Sequence, residues 1–257
     1  MEIITPGSAL QVTITVVLIA AGIALGIFLA RSSAETGKVL LVSGIVLMII
    51  EVLKEVFLYQ VSGSYPWSDF PFQLCSIPMY LCVLYYFFRK RWMEQFVMVY
   101  SLIGGIAALV VPGATFSIYI FLTVHSIFWH FMLLMLGLFL AVRQTEESVR
   151  LIHFIPVGLA YFIFAWIAVA LNAAFYRVSE GTMNMFFLGP GWPNMFILND
   201  IYTDSGWLAA SLGMIGVSEA AGFAAYLLVF LCKTVRKNPK SAPDKENGFS
   251  CNKNGLP

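Results

Sequence analysis

Apolar residues in this chain fall in long uninterrupted runs, without the alternation of a half-buried strand or the one-sided stripe of a surface helix. Runs near the 20 or so residues that carry a helix across a hydrocarbon core lie at 9–30, 39–59, 71–88, 93–111, 118–142, 151–172 and 207–232. A bilayer leaves no water for unpaired backbone groups, so these runs must be helical, and they are too long and too evenly apolar for barrel strands. The pattern predicts an all-α polytopic membrane protein with about seven transmembrane helices, built as one membrane domain over 1–237. Residues 173–206, rich in Gly, Asn, Pro and aromatics, form a long external connection of the kind that usually serves as a lid or binding loop. The polar stretch 238–257, with Pro239, Pro243, Asn247 and Gly248, is expected to be a disordered cytoplasmic tail. The chain shows no internal repeat, which argues against an inverted-repeat transporter.

Charge gives the orientation. Thirteen of the 15 Lys and Arg residues lie after the first, third and fifth runs or from Lys233 onward, whereas the N-terminus and the other connections hold only Arg177 and one run holds Lys54. This asymmetry predicts an external N-terminus and a cytoplasmic C-terminus, in a multi-pass protein of the cell membrane. No Lys or Arg precedes the first run, so it is expected to stay as a span and not to be a cleaved signal. Sixty per cent of the residues are apolar and 11% charged, against roughly a quarter charged in a soluble domain. The dispersed basic residues form no stripe for nucleic acid. Of the four cysteines, Cys75 and Cys82 fall in one run and Cys232 and Cys251 at or beyond the cytoplasmic end, which disfavours a disulfide framework.

Ionisable groups within the runs are functional candidates because each is costly in lipid unless paired or hydrated. Glu51, Lys54 and Glu55 are spaced to share one helical face, where Lys54 can neutralise a carboxylate. An interhelical ion pair and, for Lys54 and Glu55, snorkelling to the outer edge are the plain alternatives. Glu219 sits among small residues near the middle of the last run, where a lone carboxylate should be protonated or paired. His125 and His130 are about 140° apart around a helix, so they are expected on different faces, one acting as catalyst or relay and the other structural. Their spacing is wrong for a zinc pair, and no metal or cofactor is expected. Cys75 lies about one turn inside the outer edge. A buried free cysteine is by default a small apolar residue, with nucleophilic use as the sharper alternative.

The order of these features resembles the YwaF-type bacterial integral membrane proteins, a family related to an animal transmembrane ether-lipid acyltransferase. The resemblance rests on Glu51, Phe70-Pro71-Phe72-Gln73-Leu74-Cys75 leading into a helix, Gly104-Gly105 before Val111-Pro112-Gly113, and His130 in the next run. It continues with Asn172, Gly181-Thr182-Met183-Asn184 and Gly189-Pro190-Gly191-Trp192-Pro193. It implies that Cys75 matches an acyl-accepting cysteine and His130 its partner, with Glu51, Asn172, Asn184 and Glu219 at other polar positions. The chain departs from the family in carrying Gln73 where a His is usual two residues before the Cys, and in a longer stretch between Asn172 and Gly181.

A lipid acyltransferase, or a related acyl hydrolase, follows from the resemblance. Cys75 and His130 would act on a membrane lipid or lysolipid in the outer half of the bilayer, supported by Glu51, Lys54, Gln73, His125, Asn172, Asn184 and Glu219. Glu219 is the expected orienter of His130, and Asn172 and Asn184 are candidate donors to an acyl oxyanion. On the run boundaries Cys75 lies about two helical turns outward of His130, so contact requires span five to start later or span three to tilt. The rival is a transporter or lipid-binding protein with a Glu/Lys/His polar relay, in which Cys75 is packing. A receptor-like scaffold with purely structural polar pairs is the third reading.

Overall fold

A computed structural model describes residues 8–110, 116–191 and 198–237, and it is all-helical, with no strand among them. The helices are α1 (Ala9–Arg31), α2 (Thr36–Ser62), α3 (Ile77–Phe88), α4 (Arg91–Val110), α5 (Ile120–Arg143), α6 (Phe154–Ala174), α7 (Asn199–Ser205) and α8 (Trp207–Lys237). Five of them, α1, α4, α5, α6 and α8, are long and apolar enough to cross a membrane. The 27-residue α2 carries Lys38, Glu51, Lys54 and Glu55, and the apolar α3 has only 12 residues. The expected tail, the first seven residues, Val111-Pro112-Gly113 and Trp192-Pro193 lie outside the described residues.

α4 is the hub. Every residue from Gln95 to Ser101 is buried, and seven consecutive positions cover all faces of a helix, so neighbours surround this half of α4. Its seam with α5 is held close by glycine. A methyl group added at Gly105 would lie 2.8 Å from Leu134 N and 3.0 Å from the His130 carbonyl, and one at Gly137 would lie 2.8 Å from Leu102 N. These close approaches set the position of the His130 turn of α5. Outward-facing apolar residues such as Phe28, Val52, Ile155 and Leu228 are widely exposed, as expected where the solvent is lipid.

One end of the bundle gathers cations onto carbonyls and acids. Arg143 donates to the carbonyls of Leu29, Ala30 and Ser32 and to the Thr36 hydroxyl, so it caps the last turn of α1, where carbonyls lack helical partners. Arg89 pairs with Glu35 at 2.9 Å, and this hydrogen bond holds the exposed Glu35 carboxyl below its usual range.

The third apolar run differs most from expectation. Of the stretch 71–88 only 77–88 is α-helical. Before it the chain makes a 3-10 turn at Trp67–Asp69 and then a series of turns. Proline explains the start of α3: Pro78 lies in its first turn, and a proline removes a backbone donor and disfavours helix in the residue before it. Twelve residues span about 18 Å, too little to cross the hydrocarbon core alone.

Candidate functional site

The turns before α3 leave a cavity of about 340 Å³, lined by Glu51 and Lys54 of α2, by Ser68, Asp69, Gln73, Cys75 and Ser76 of the turn segment, and by Leu122, His125, Ser126, Trp129 and His130 of α5, with Phe116 and Ser117 at the approach to α5. Irregular backbone at membrane depth is tolerated where it lines such a cavity. Cys75 precedes α3 in a turn, and it lines the same cavity as His130.

His125 and His130 both line this space, although they stand on different sides of α5. The α5 residues at 122, 125, 126, 129 and 130 cover an arc of about 140°, and the two histidines stand at its edges. His130 Nδ1 lies 2.8 Å from the Ser126 carbonyl. Facing an acceptor, Nδ1 carries the proton, which leaves Nε2 with its lone pair. His125 stacks on Trp129, with ring centroids 5.5 Å apart, and its Nε2 lies 3.4 Å from Glu51 Oε2 without meeting hydrogen-bond geometry. The Trp129 indole donates to the Cys75 carbonyl at 3.3 Å. Gly104 stands beside Cys75: a methyl group there would sit in ordinary contact with Cys75 Cβ at 3.7 Å.

The α2 charges form a contiguous cluster. Lys54 Nζ lies 2.8 Å from Glu51 Oε1 and 3.1 Å from Glu55 Oε1, and it donates to the Asp69 carbonyl at 3.0 Å. The spacing that puts these groups on one face is therefore used as an ion pair that also ties α2 to the turn segment.

The remaining candidates lie elsewhere. Glu219 of α8 accepts from the Tyr100 hydroxyl at 3.1 Å, packs against Gly158 of α6, and does not line the cavity. The carboxylate beside a cavity histidine is Glu51. Asn172, fully buried on α6, donates to the Met185 carbonyl at 2.9 Å and accepts from the Met185 N–H at 2.8 Å. Asn184 accepts from Gly189 N–H at 2.8 Å. Both shape the 173–206 connection, and neither lines the cavity. Ser126 and Trp129 were not singled out from the sequence, although Ser126 stands four residues before His130 and Trp129 four after His125, each on the same side of α5 as that histidine.

The chain belongs to the TMEM164 family, which it matches over residues 6–217. No curated protein and no solved structure matches it.

Proposed function

We propose that this member of the TMEM164 family is a membrane-embedded lipid acyltransferase in which Cys75 carries the acyl group and His130 moves the proton. The observation that supports the proposal is the shared cavity, which Cys75 on its turn and His130 on α5 both line, with His130 Nδ1 against the Ser126 carbonyl. The motif order shared with YwaF-type proteins supports the same roles. The Lys/Arg asymmetry supports a cytoplasmic cationic end by the positive-inside rule, and with it a cavity in the outer half of the bilayer.

In the first step the Cys75 sulfur attacks the ester carbonyl of a donor lipid while His130 Nε2 takes the thiol proton. The C–S bond forms, the donor's C–O bond breaks, and the imidazolium returns the proton to the departing alkoxide. In the second step a lysolipid hydroxyl attacks the thioester, Nε2 takes its proton, and sulfur leaves and is reprotonated. Water in place of the lysolipid gives the hydrolase variant.

The test is transfer of a labelled acyl chain to lysolipid in membranes containing each variant. Cys75→Ala and His130→Ala should each abolish transfer, and the double variant should be little worse than either, because the two act on one transition state. Full activity in Cys75→Ala would eliminate the covalent route.

A second reading has its own observation. The chain of ionisable groups Glu55, Lys54, Glu51 and His125 supports a proton relay in a transporter. Proton-coupled uptake that survives Cys75→Ala and is lost in Glu51→Gln would favour it.

A further inference from the structure

Gln73 stands two residues before Cys75 and holds two parts of the molecule at once, a role the acyl-transfer reading does not use. Its backbone carbonyl accepts from the N–H groups of Ser76 at 2.8 Å and Ile77 at 3.2 Å, which fixes the turn carrying Cys75 and starts α3. Its side chain crosses to the 173–206 connection: Oε1 accepts from Phe186 N–H at 2.8 Å, and Nε2 donates to the Asn184 carbonyl at 3.2 Å.

The segment it grips is strained. Phe186 and Phe187 are consecutive non-glycine residues in the left-handed region, with φ of 55° and 59°. Such backbone persists only where its surroundings over-determine it. Here Asn172 holds Met185 through both amide atoms, and the buried Phe186 ring packs on Phe72 and Tyr161 at centroid distances of 5.7 and 6.2 Å. Gln73 supplies the one side-chain link from this strap to the thiol's turn among the hydrogen bonds described above.

The geometry points to Gln73 as a positioning residue: its amide locks the Cys75 turn to the strained strap at 184–188, so that releasing the strap frees the turn and exposes the thiol. The link needs a donor for one backbone carbonyl and an acceptor for an N–H two residues on, from one planar group. An amide does both, and so does a protonated carboxyl of the same length. Glutamate at 73 is therefore a reversible replacement: protonated it restores both hydrogen bonds, and ionised it faces the Asn184 carbonyl with negative charge. None of this requires Cys75 to be a nucleophile.

The experiment uses the full chain carrying Cys82→Ala, Cys232→Ser and Cys251→Ser, and follows the modification rate of Cys75 by methyl methanethiosulfonate between pH 5 and 8. Parent, Gln73→Met and Gln73→Glu are compared at each pH. Their ratio cancels the titration of the thiol and of the groups around it, namely Glu51, Lys54, Asp69, His125 and His130 in the cavity and Glu55 beside Lys54. Gln73→Met should react about tenfold faster than the parent throughout, as expected for a local opening that has lost two hydrogen bonds. Gln73→Glu should match the parent at low pH, approach the Met variant at high pH, and return on re-acidification, which loss of fold would not do. Equal rates in parent and Gln73→Met, or a Glu-to-parent ratio that does not change with pH, would overturn the role.

Discussion

Removing Lys54 should unbalance the most concentrated charge in the bundle. Its ammonium touches Glu51 at 2.8 Å and Glu55 at 3.1 Å, and the Lys54 and Glu51 side chains are only 12% and 7% exposed. In Lys54→Met two carboxylates remain on one helical face, and the Asp69 carbonyl loses its donor. Breaking a buried pair from one side costs about 3–5 kcal/mol. The residual exposure of the pair argues for the lower end of this range. At about 2–4 °C per kcal/mol for a chain of this size, a cost of about 3 kcal/mol lowers the melting temperature by about 6–12 °C. Glu51→Gln should be milder, about 1–2 kcal/mol, because Lys54 keeps Glu55 and the Asp69 carbonyl. The double variant should cost no more than Lys54→Met alone, since it leaves no unmatched charge between these two positions. The assay is thermal unfolding of the four detergent-solubilised proteins as a double-mutant cycle. Additivity within about 0.5 kcal/mol would refute the claim that Lys54 and Glu51 are energetic partners.

Two further outcomes follow from the packing. Arg143→Ala should loosen α1, because four hydrogen bonds hold the α1–α2 connection to this guanidinium; limited proteolysis within the connection at 31–36 should speed up, and unchanged cleavage would contradict the capping role. Gly105→Val should force α4 and α5 apart at the His130 turn, costing about 1–3 kcal/mol as overpacking does, and should depress acyl transfer more than the milder Gly105→Ala; equal activity of Gly105→Val and the parent would show that this seam does not position His130.

Long apolar runs were enough to read the long helices but not the seven-residue α7 inside the 173–206 connection, because a membrane span is specified by length and hydropathy with little help from tertiary contacts. The Glu51–Lys54 pair was legible for a similar reason, since spacing along one helix fixes it. What escaped depends on contacts between elements distant in sequence. The run at 71–88 is largely apolar, yet its first third folds as turns because Pro78 and contacts from α2, α5 and the 173–206 connection outweigh hydropathy. Asn172 and Asn184 looked like oxyanion donors by type, but the Asn172 amide and the Asn184 side-chain oxygen bond backbone of the 173–206 connection, which no periodicity announces. Angular distance alone separated His125 from His130, whereas the cavity is wide enough for both edges of the α5 face to line it.

The residues around Cys75 perform two tasks, and this bears on how any loss of activity is interpreted. Turns at membrane depth leave backbone carbonyls without helical partners, and each such group must be satisfied by protein or cavity water. The Asp69 carbonyl takes Lys54, that of Pro71 takes the Tyr80 hydroxyl, and that of Cys75 takes the Trp129 indole. Gln73 closes the same segment against Asn184 and Phe186. Substituting Lys54, Gln73 or Trp129 therefore disturbs the shape of the site even if none touches substrate, and inactivity in those variants says nothing about chemistry. The Cys75 side chain is different, since the bond that braces its turn is made by its backbone carbonyl and survives replacement by alanine. Cys75→Ala is thus the substitution at which a chemical role and a structural one part: a folded variant with the strap in place and no transfer would assign the thiol to the reaction, and full transfer would assign it to packing.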